Sequence, residues 1–146
     1  MKSKQILGFT LIELLIVIAI VGLLASVILT SMLNSRIKAR DANRLENIRQ
    51  LSTALELYYQ DHSGFPVQAS PATTIPGLAP TYLALLPLAP LPADGATCAA
   101  TVTGGTNNDY LYSAPASSAY TLTFCLGIGT SSYPAGVHTL SPRGIE

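Results

Sequence analysis

The stretch that decides the fold is GFTLIELLIVIAIVGLLASVIL, residues 8–29. It is almost entirely apolar, and its one charged side chain is Glu13. The apolar run continues to residue 33, so residues 9–33 form 25 positions without a proline. As a helix rising about 1.5 Å per residue, this segment is long enough to cross the roughly 30 Å hydrocarbon core of a bilayer. A charge inside such a segment costs on the order of 2.5–3.5 kcal/mol, so Glu13 must have a function that offsets this cost.

Basic residues flank the apolar run on both sides. Lys2 and Lys4 precede it, and five more follow it: Arg36, Lys38, Arg40, Arg44 and Arg49. The two flanks compete under the positive-inside rule, so the charge count does not fix the orientation. A cleaved secretory signal would need a shorter apolar core followed by a small-x-small site, whereas an ordinary membrane anchor stays possible.

The remainder of the chain is weakly charged. The 146 residues have a formal net charge of zero, 11% of them are charged, and residues 50–142 contain no lysine or arginine. This composition gives no basic field for nucleic acid and favours a small domain outside the cytoplasm. Two cysteines, Cys98 and Cys125, are 27 positions apart. In an oxidising compartment we expect them to form a disulfide worth roughly 3–4 kcal/mol; the alternative is two buried thiols.

The helix is predicted to continue beyond the apolar run, through residues 34–62. Apolar side chains recur there at spacings of three and four, which places them on one helical face: Leu45, Ile48, Leu51, Leu55 and Tyr58. Polar side chains are predicted on the opposite faces: Arg44, Glu46, Arg49, Gln50 and Glu56. Gly64 suits a left-handed C-cap and Pro66 prevents continuation, so the predicted helix covers residues 9–62, with His62 in its last turn.

The C-terminal part, residues 63–146, is predicted to be a small head with antiparallel strands. Residues 66–96 hold seven prolines and are interpreted as a connecting loop whose leucines cover the helix; a polyproline ligand is the alternative. Tyr120–Leu126 alternates as a strand, with Asp109–Ser113 as a shorter partner and residues 98–103 as a further candidate. We expect the turn-rich tail, residues 127–146, to be a loop over the sheet or a flexible end.

No catalytic constellation is found in the sequence. The two histidines are 76 residues apart, and the scattered acids form no metal cluster or carboxylate pair. The sequence therefore does not predict an enzyme.

The leader MKSKQILG, followed by Phe9 and then Thr10-Leu11-Ile12-Glu13 before the apolar run, resembles the class III signal of type IV pilins and type II secretion pseudopilins. The resemblance implies that prepilin peptidase cleaves between Gly8 and Phe9, removing residues 1–8, and that Phe9 is N-methylated. It assigns Glu13 to a pair with a terminal amine that sets the stagger of neighbouring subunits. Many family members carry a proline where this chain has Thr30, so a more continuous helix is expected here.

The same resemblance implies an α+β, lollipop-like fold, with the long helix packed on a small antiparallel sheet. It implies a filament subunit of a type II secretion pseudopilus, held in the inner membrane with its head outside the cytoplasm. The implied partners are prepilin peptidase, copies of the chain, other pseudopilins, an assembly platform and membrane lipid. A type IV pilin for adhesion, motility or DNA uptake and a non-polymerising anchored binding module are the alternatives.

Major pseudopilins often bind calcium through a C-terminal loop, but the tail here has only one acid, Glu146. Asp94 and Asp109 are the other candidates, and this donor set is too sparse for us to predict a metal site. No cofactor is expected.

Overall fold

A computed structural model of the protein describes residues 9–92 and 110–146, with the side chains of residues 28–31 left out. The chain divides into two units, one ending at Ser35 and one comprising Arg36–Glu146. Each unit is described by itself below.

One helix, α1, comprises 52 residues, Leu11–His62. It continues without interruption through Gly22 and Thr30, as expected for a sequence that has no proline in this run. An 18-residue window within it has a mean hydropathy of 2.9 and none of that window is buried. Among the described residues, α1 is the one helix long and apolar enough to cross a membrane. The predicted helix over residues 9–62 is therefore confirmed to within two residues.

The described strands form one antiparallel sheet in the order β1-β2-β3-β4-β5. Their bounds are Gln68–Ala72, Leu111–Ala116, Ala119–Gly129, Pro134–Ser141 and Gly144–Ile145. β2 and β3 are joined by the two-residue turn Ser117-Ser118, and Tyr112 pairs with Leu122 across them. The α+β class, with one long helix and a small antiparallel sheet, is thus confirmed.

The core of the second unit lies between α1 and one face of the sheet. The helix contributes its predicted stripe, in which Ile48 and Leu55 are fully buried. The sheet contributes the alternate residues of β3, all buried as predicted: Tyr120, Leu122, Phe124 and Leu126. Because strand side chains alternate with period two and helix side chains with period 3.6, both faces could be predicted from sequence spacing alone.

Two predictions about the sheet were wrong or incomplete. The tail from residue 127 onward was expected to be a loop or flexible end, but it completes β3 and forms β4 and β5. Cys125 pairs with Val137, and Thr139 and Glu146 exchange backbone hydrogen bonds. The tail was misinterpreted because a strand paired on an existing sheet gains its hydrogen bonds from its neighbour, so even a turn-rich sequence is held there. The candidate strand at residues 98–103 lies outside the described residues.

The end of α1 differs in detail from the predicted cap. Ser63 adopts the left-handed conformation, with φ of 54°, whereas Gly64 does not. Gly64 is required for a different reason, because a Cβ there would lie 2.8 Å from Cβ of Ser117. This close approach lets the Phe65 amide donate to the Ser117 carbonyl at 2.8 Å. Gly64 therefore joins the end of the helix to the β2–β3 turn.

The proline-rich segment covers the helix only in part. Leu78 is buried and Leu83 and Leu86 pack on the core, in agreement with the prediction. Three other leucines are exposed, namely Leu85, Leu88 and Leu91. The segment also contains β1, an unpredicted strand whose Gln68 pairs with Ala114. Residues 93–96 lie outside the described part of the chain.

Three buried tyrosines make the stability of this unit sensitive to alkali. Burial raises the pKa of Tyr110, Tyr112 and Tyr120 above the ordinary value. Since these tyrosines keep their protons to higher pH when folded, their contribution is complete below about pH 10 and is lost above it. We expect the free energy of unfolding to fall above that pH by up to about 1.4 kcal/mol per pH unit for each tyrosine.

Urea unfolding of the full chain in detergent, from about pH 8 to about pH 11, measures this slope. Tyr112→Phe should make the slope shallower, because one of the three groups no longer ionises. It should also lower stability at all pH values by about 1 kcal/mol, since the Tyr112 hydroxyl donates to the Pro66 carbonyl at 2.7 Å. Tyr59→Phe, at a side chain that is 45% exposed, is the matched control. An alkaline slope that Tyr112→Phe leaves unchanged would contradict the assignment.

Candidate assembly sites

The start of α1 is closed by a reciprocal pair of side chains, Thr10 and Glu13. The Glu13 carboxylate accepts hydrogen bonds from the Thr10 amide at 3.0 Å and from the Thr10 hydroxyl at 2.8 Å. The Thr10 oxygen in turn accepts from the Glu13 amide at 3.3 Å. This is a capping box, in which N-cap and N3 residues satisfy each other's otherwise unpaired amides. Glu13 therefore has local hydrogen bonds within a single copy of the chain.

The role of Thr10 was missed in the sequence analysis, although a signal was present. Thr-x-x-Glu directly before an apolar run is the sequence signature of a capping box. It was overlooked because Glu13 was interpreted only through its charge. Phe9 precedes the box with its side chain 87% exposed, and Gly8 lies outside the described residues.

The first unit exposes an apolar surface along α1. Outside residues 28–31, its large side chains are exposed over half or more of their surface, for example Leu11 at 83%, Ile18 at 63% and Leu23 at 67%. Six residues line a shallow groove there of about 330 Å³: Leu15, Ile16, Ala19, Ile20, Leu23 and Leu24. An apolar surface of this length is stable in water only if lipid or another apolar helix covers it.

The second unit contains a buried ion pair that connects α1 to the sheet. Asp41 and Arg44 are 0% and 1% exposed, and their charged atoms lie 2.6 Å apart. Asp41 also accepts three successive backbone amides at 2.9 Å, those of Gly127, Ile128 and Gly129. The β3–β4 register shifts between Leu126 and Gly129, so these amides lie where the ladder is irregular. A carboxylate with four such donors is well satisfied although it is buried.

Arg44 and Asn47 continue the contacts one and two turns along the helix. Arg44 Nη2 donates to the Pro90 carbonyl at 3.2 Å. Asn47 Nδ2 donates to the Leu88 carbonyl at 3.1 Å and lies 2.9 Å from the Tyr110 hydroxyl. We call Asp41, Arg44 and Asn47 the polar row. It attaches the helix to the β3–β4 corner, to the proline-rich segment and to the residue before β2.

The prediction that Arg44 lies on an exposed face was wrong. The four other residues assigned to that surface are exposed: Glu46, Arg49, Gln50 and Glu56. The burial of Arg44 could have been found by extending the apolar stripe towards the N-terminus. Positions 44 and 41 lie four and seven residues before Ile48, so they fall on the same helical face. The prediction placed Arg44 at the surface because arginine is charged. An arginine can nevertheless be buried when it pairs with a buried carboxylate.

The other predicted site residues are separated or lie outside the described residues. Cys125 is buried in β3 at 4% exposure, and Cys98 is not among the described residues, so their pairing stays a prediction. Asp94 and Asp109 are likewise outside, and Glu146 pairs through its backbone with Thr139. Within residues 9–92 and 110–146, no three His, Cys, Asp or Glu side chains are grouped so as to hold a metal ion.

Comparisons with known proteins find one family match and several relatives. Residues 4–29 match the family described as "Prokaryotic N-terminal methylation motif". Three relatives are each a "Type II secretion system core protein G". The Escherichia coli K12 protein is 33% identical over 93 residues, covering 60% of this chain and 64% of the relative. The Vibrio cholerae protein is 35% identical over 65 residues (44% of each chain), and the Aeromonas hydrophila protein 33% over 66 residues (45% and 46%).

The chain thus spans between 44% and 64% of the length of these relatives. No solved structure matches it. A methylation motif, an apolar capped helix and a small antiparallel sheet on the rest of that helix define the pilin-like class of α+β proteins. The motif match and these relatives support the type IV pilin and type II secretion pseudopilin family for this chain.

Proposed function

We propose that the chain is a structural subunit of the filament of a type II secretion system or of a related pilus-like machine. In this proposal, prepilin peptidase removes residues 1–8, Phe9 is N-methylated, and the processed chain polymerises through the first part of α1. The relatives named above favour the secretion filament over a pilus used for adhesion, motility or DNA uptake.

The observation that carries this proposal is the Thr10–Glu13 capping box at the start of an exposed apolar helix. A carboxylate that would be costly in lipid has hydrogen bonds from Thr10 before assembly. After cleavage, the new amine of Phe9 in the same or a neighbouring copy supplies a positive charge for it, and opposite charges attract strongly where the dielectric constant is low. A single copy of the helix is therefore stable in the membrane before assembly, and it gains further stability when copies polymerise.

The partners follow from the same chemistry. Lipid or other copies would cover the apolar part of α1, and the weakly charged head would lie outside the cytoplasm. The resemblance to pseudopilins, and not this chemistry, implies that the polymerising machine would also include other pseudopilins and an inner-membrane assembly platform.

Intact mass and N-terminal sequencing of the protein from its native membrane test the proposal first. We expect a chain that begins at N-methylated Phe9. Gly8→Leu, which places a bulky side chain just before the cut, should leave the leader attached and serves as the matched control. A wild-type chain that still begins at Met1 would contradict the proposal and favour an anchored module that does not polymerise.

A further inference from the structure

We propose that the basic residues directly after the apolar run bind the phosphate headgroups of anionic phospholipid. We call Arg36, Lys38 and Arg40 the basic belt; Arg36 and Lys38 are exposed and Arg40 is half-buried. With 3.6 residues per turn, positions 36 and 40 lie on one side of α1 and position 38 lies on the opposite side. The inference goes beyond the filament role, since it requires only that the apolar run lies in a membrane.

The sequence position of the basic belt corresponds to the headgroup layer of a bilayer. The apolar run ends at Leu33, and Arg36 and Arg40 follow it by three and seven residues. At about 1.5 Å per residue, a continuous helix carries them roughly 4–11 Å beyond the end of the run. The polar layer on each side of the hydrocarbon core is about 5–8 Å thick, and long basic side chains extend their charged ends into it. A membrane that covers the apolar run therefore brings lipid phosphates to the level of the belt.

Charge pairing further along the helix leaves the basic belt positive. Asp41, the first acid after the belt, is 0% exposed and lies 2.6 Å from Arg44. Glu46 lies 3.8 Å from Arg49. Residues 34–49 contain five basic and two acidic side chains, a net charge of +3. Because each acid is matched by one of these two arginines, the excess over this stretch is carried by the belt.

Anionic lipid fits the basic belt better than a second copy of the chain does. Residues 14–40 contain no Asp or Glu, so the same stretch of a neighbouring helix offers no carboxylate. Arg36 and Arg40 are four residues apart, a spacing at which like charges destabilise a helix. Lipid phosphates offset this repulsion, because each Lys or Arg near an anionic membrane surface is attracted to it.

Native mass spectrometry of the full chain in detergent micelles tests the proposal. The probes are equal amounts of phosphatidylglycerol, which is anionic, and phosphatidylethanolamine, which has no net charge. We expect the wild-type chain to retain several-fold more phosphatidylglycerol, and Arg36→Gln with Lys38→Gln to lose most of this preference. Arg49→Gln with Arg143→Gln is the matched control, because it removes the same charge from exposed positions outside the belt. Equal retention of the two lipids by the wild type, or equal loss in both double variants, would overturn the proposal.

A charge-conserving variant separates lipid binding from a structural role of the same side chains. Arg36→Lys with Lys38→Arg should keep the preference for phosphatidylglycerol, since a headgroup phosphate is attracted by either cation. Loss of the preference in this variant would show that the side chains act through the fold and would contradict the proposal. The measurement uses single copies in detergent, so its result is independent of cleavage before Phe9 and of filament formation.

Photo-crosslinking in the native membrane distinguishes lipid from an acidic protein partner. Ala39→p-benzoylphenylalanine places the crosslinker at an exposed position within the basic belt and removes no charge. We expect adducts whose masses identify anionic phospholipid, several-fold above its share of the membrane lipid. Crosslinks mainly to an acidic segment of another protein or of a second copy, or lipid adducts in proportion to membrane composition, would overturn the proposal.

Discussion

Replacing Glu13 with leucine is expected to leave the chain in the membrane and to prevent its assembly into filaments. The change removes a charge that costs on the order of 2.5–3.5 kcal/mol in the bilayer, so insertion should be at least as efficient as in the wild type. It also removes the carboxylate that would pair with the Phe9 amine of the processed chain. Since 1.4 kcal/mol is a factor of ten in an equilibrium constant, we expect filament yield to fall roughly tenfold or more.

Two further variants separate the charge of Glu13 from its capping role. Glu13→Gln keeps an oxygen that can accept from Thr10, because glutamine also serves at the N3 position of a capping box, but it carries no charge. Thr10→Ala keeps the charge and loses the cap, at a cost of about 1 kcal/mol in helix stability. If the charge drives assembly, Glu13→Gln should resemble Glu13→Leu, whereas Thr10→Ala should reduce filament yield only moderately.

Filaments can be sheared from cells and quantified against the membrane-bound pool by immunoblotting. Processing before Phe9 should be measured in each variant, so that a defect in cleavage is not mistaken for one in assembly. Filament yield at the wild-type level from Glu13→Leu would rule out the role assigned to this carboxylate. The capping box would then be a structural feature of the helix start only.

The second large effect is expected from Asp41→Ala, which should destabilise the second unit by about 3–5 kcal/mol. The substitution withdraws the carboxylate from the buried Arg44 guanidinium and from the amides of Gly127, Ile128 and Gly129. Breaking a buried pair from one side is costly because the remaining charge is kept out of water. Native domains have a free energy of unfolding of only about 5–15 kcal/mol, so the substitution would remove a large part of it.

Urea unfolding of the full chain in detergent, followed by near-ultraviolet circular dichroism of the buried tyrosines, measures this loss. Glu46→Ala is the matched control, because Glu46 lies 3.8 Å from Arg49 in a pair whose side chains are 58% and 69% exposed. Exposed pairs contribute about 0–1 kcal/mol, so this variant should be close to the wild type.

A double replacement of the pair sharpens the test. Asp41→Leu with Arg44→Met removes both buried charges and retains apolar volume, so it should be more stable than Asp41→Ala alone. A loss for Asp41→Ala no greater than that for Glu46→Ala would show that the ion pair does not hold helix and sheet together.

Much of the fold could be predicted from spacing along the chain. The helix over residues 9–62 and the buried face of β3 each follow from a local period that side-chain burial imposes. The capping box was also available, since Thr10 and Glu13 have the required separation. The prediction for Arg44 failed because its charge was given more weight than its place beside the apolar stripe, and because one of its partners, the Pro90 carbonyl, lies 46 positions away.

The sequence by itself determined that this protein has a membrane-length helix with one carboxylate near its start, followed by an amphipathic continuation. Those features depend on the composition and periodicity of one continuous segment, and both are already present in the unfolded chain. Only the tertiary structure decided that the tail joins the sheet and that Asp41 closes the β3–β4 corner. Asp41 accepts a hydrogen bond from the Gly127 amide, which is 86 positions away, and Asn47 donates to the Leu88 carbonyl, which is 41 positions away. Such contacts are fixed by the closure of the whole domain, because no local pattern specifies which distant backbone amide or carbonyl a side chain will meet.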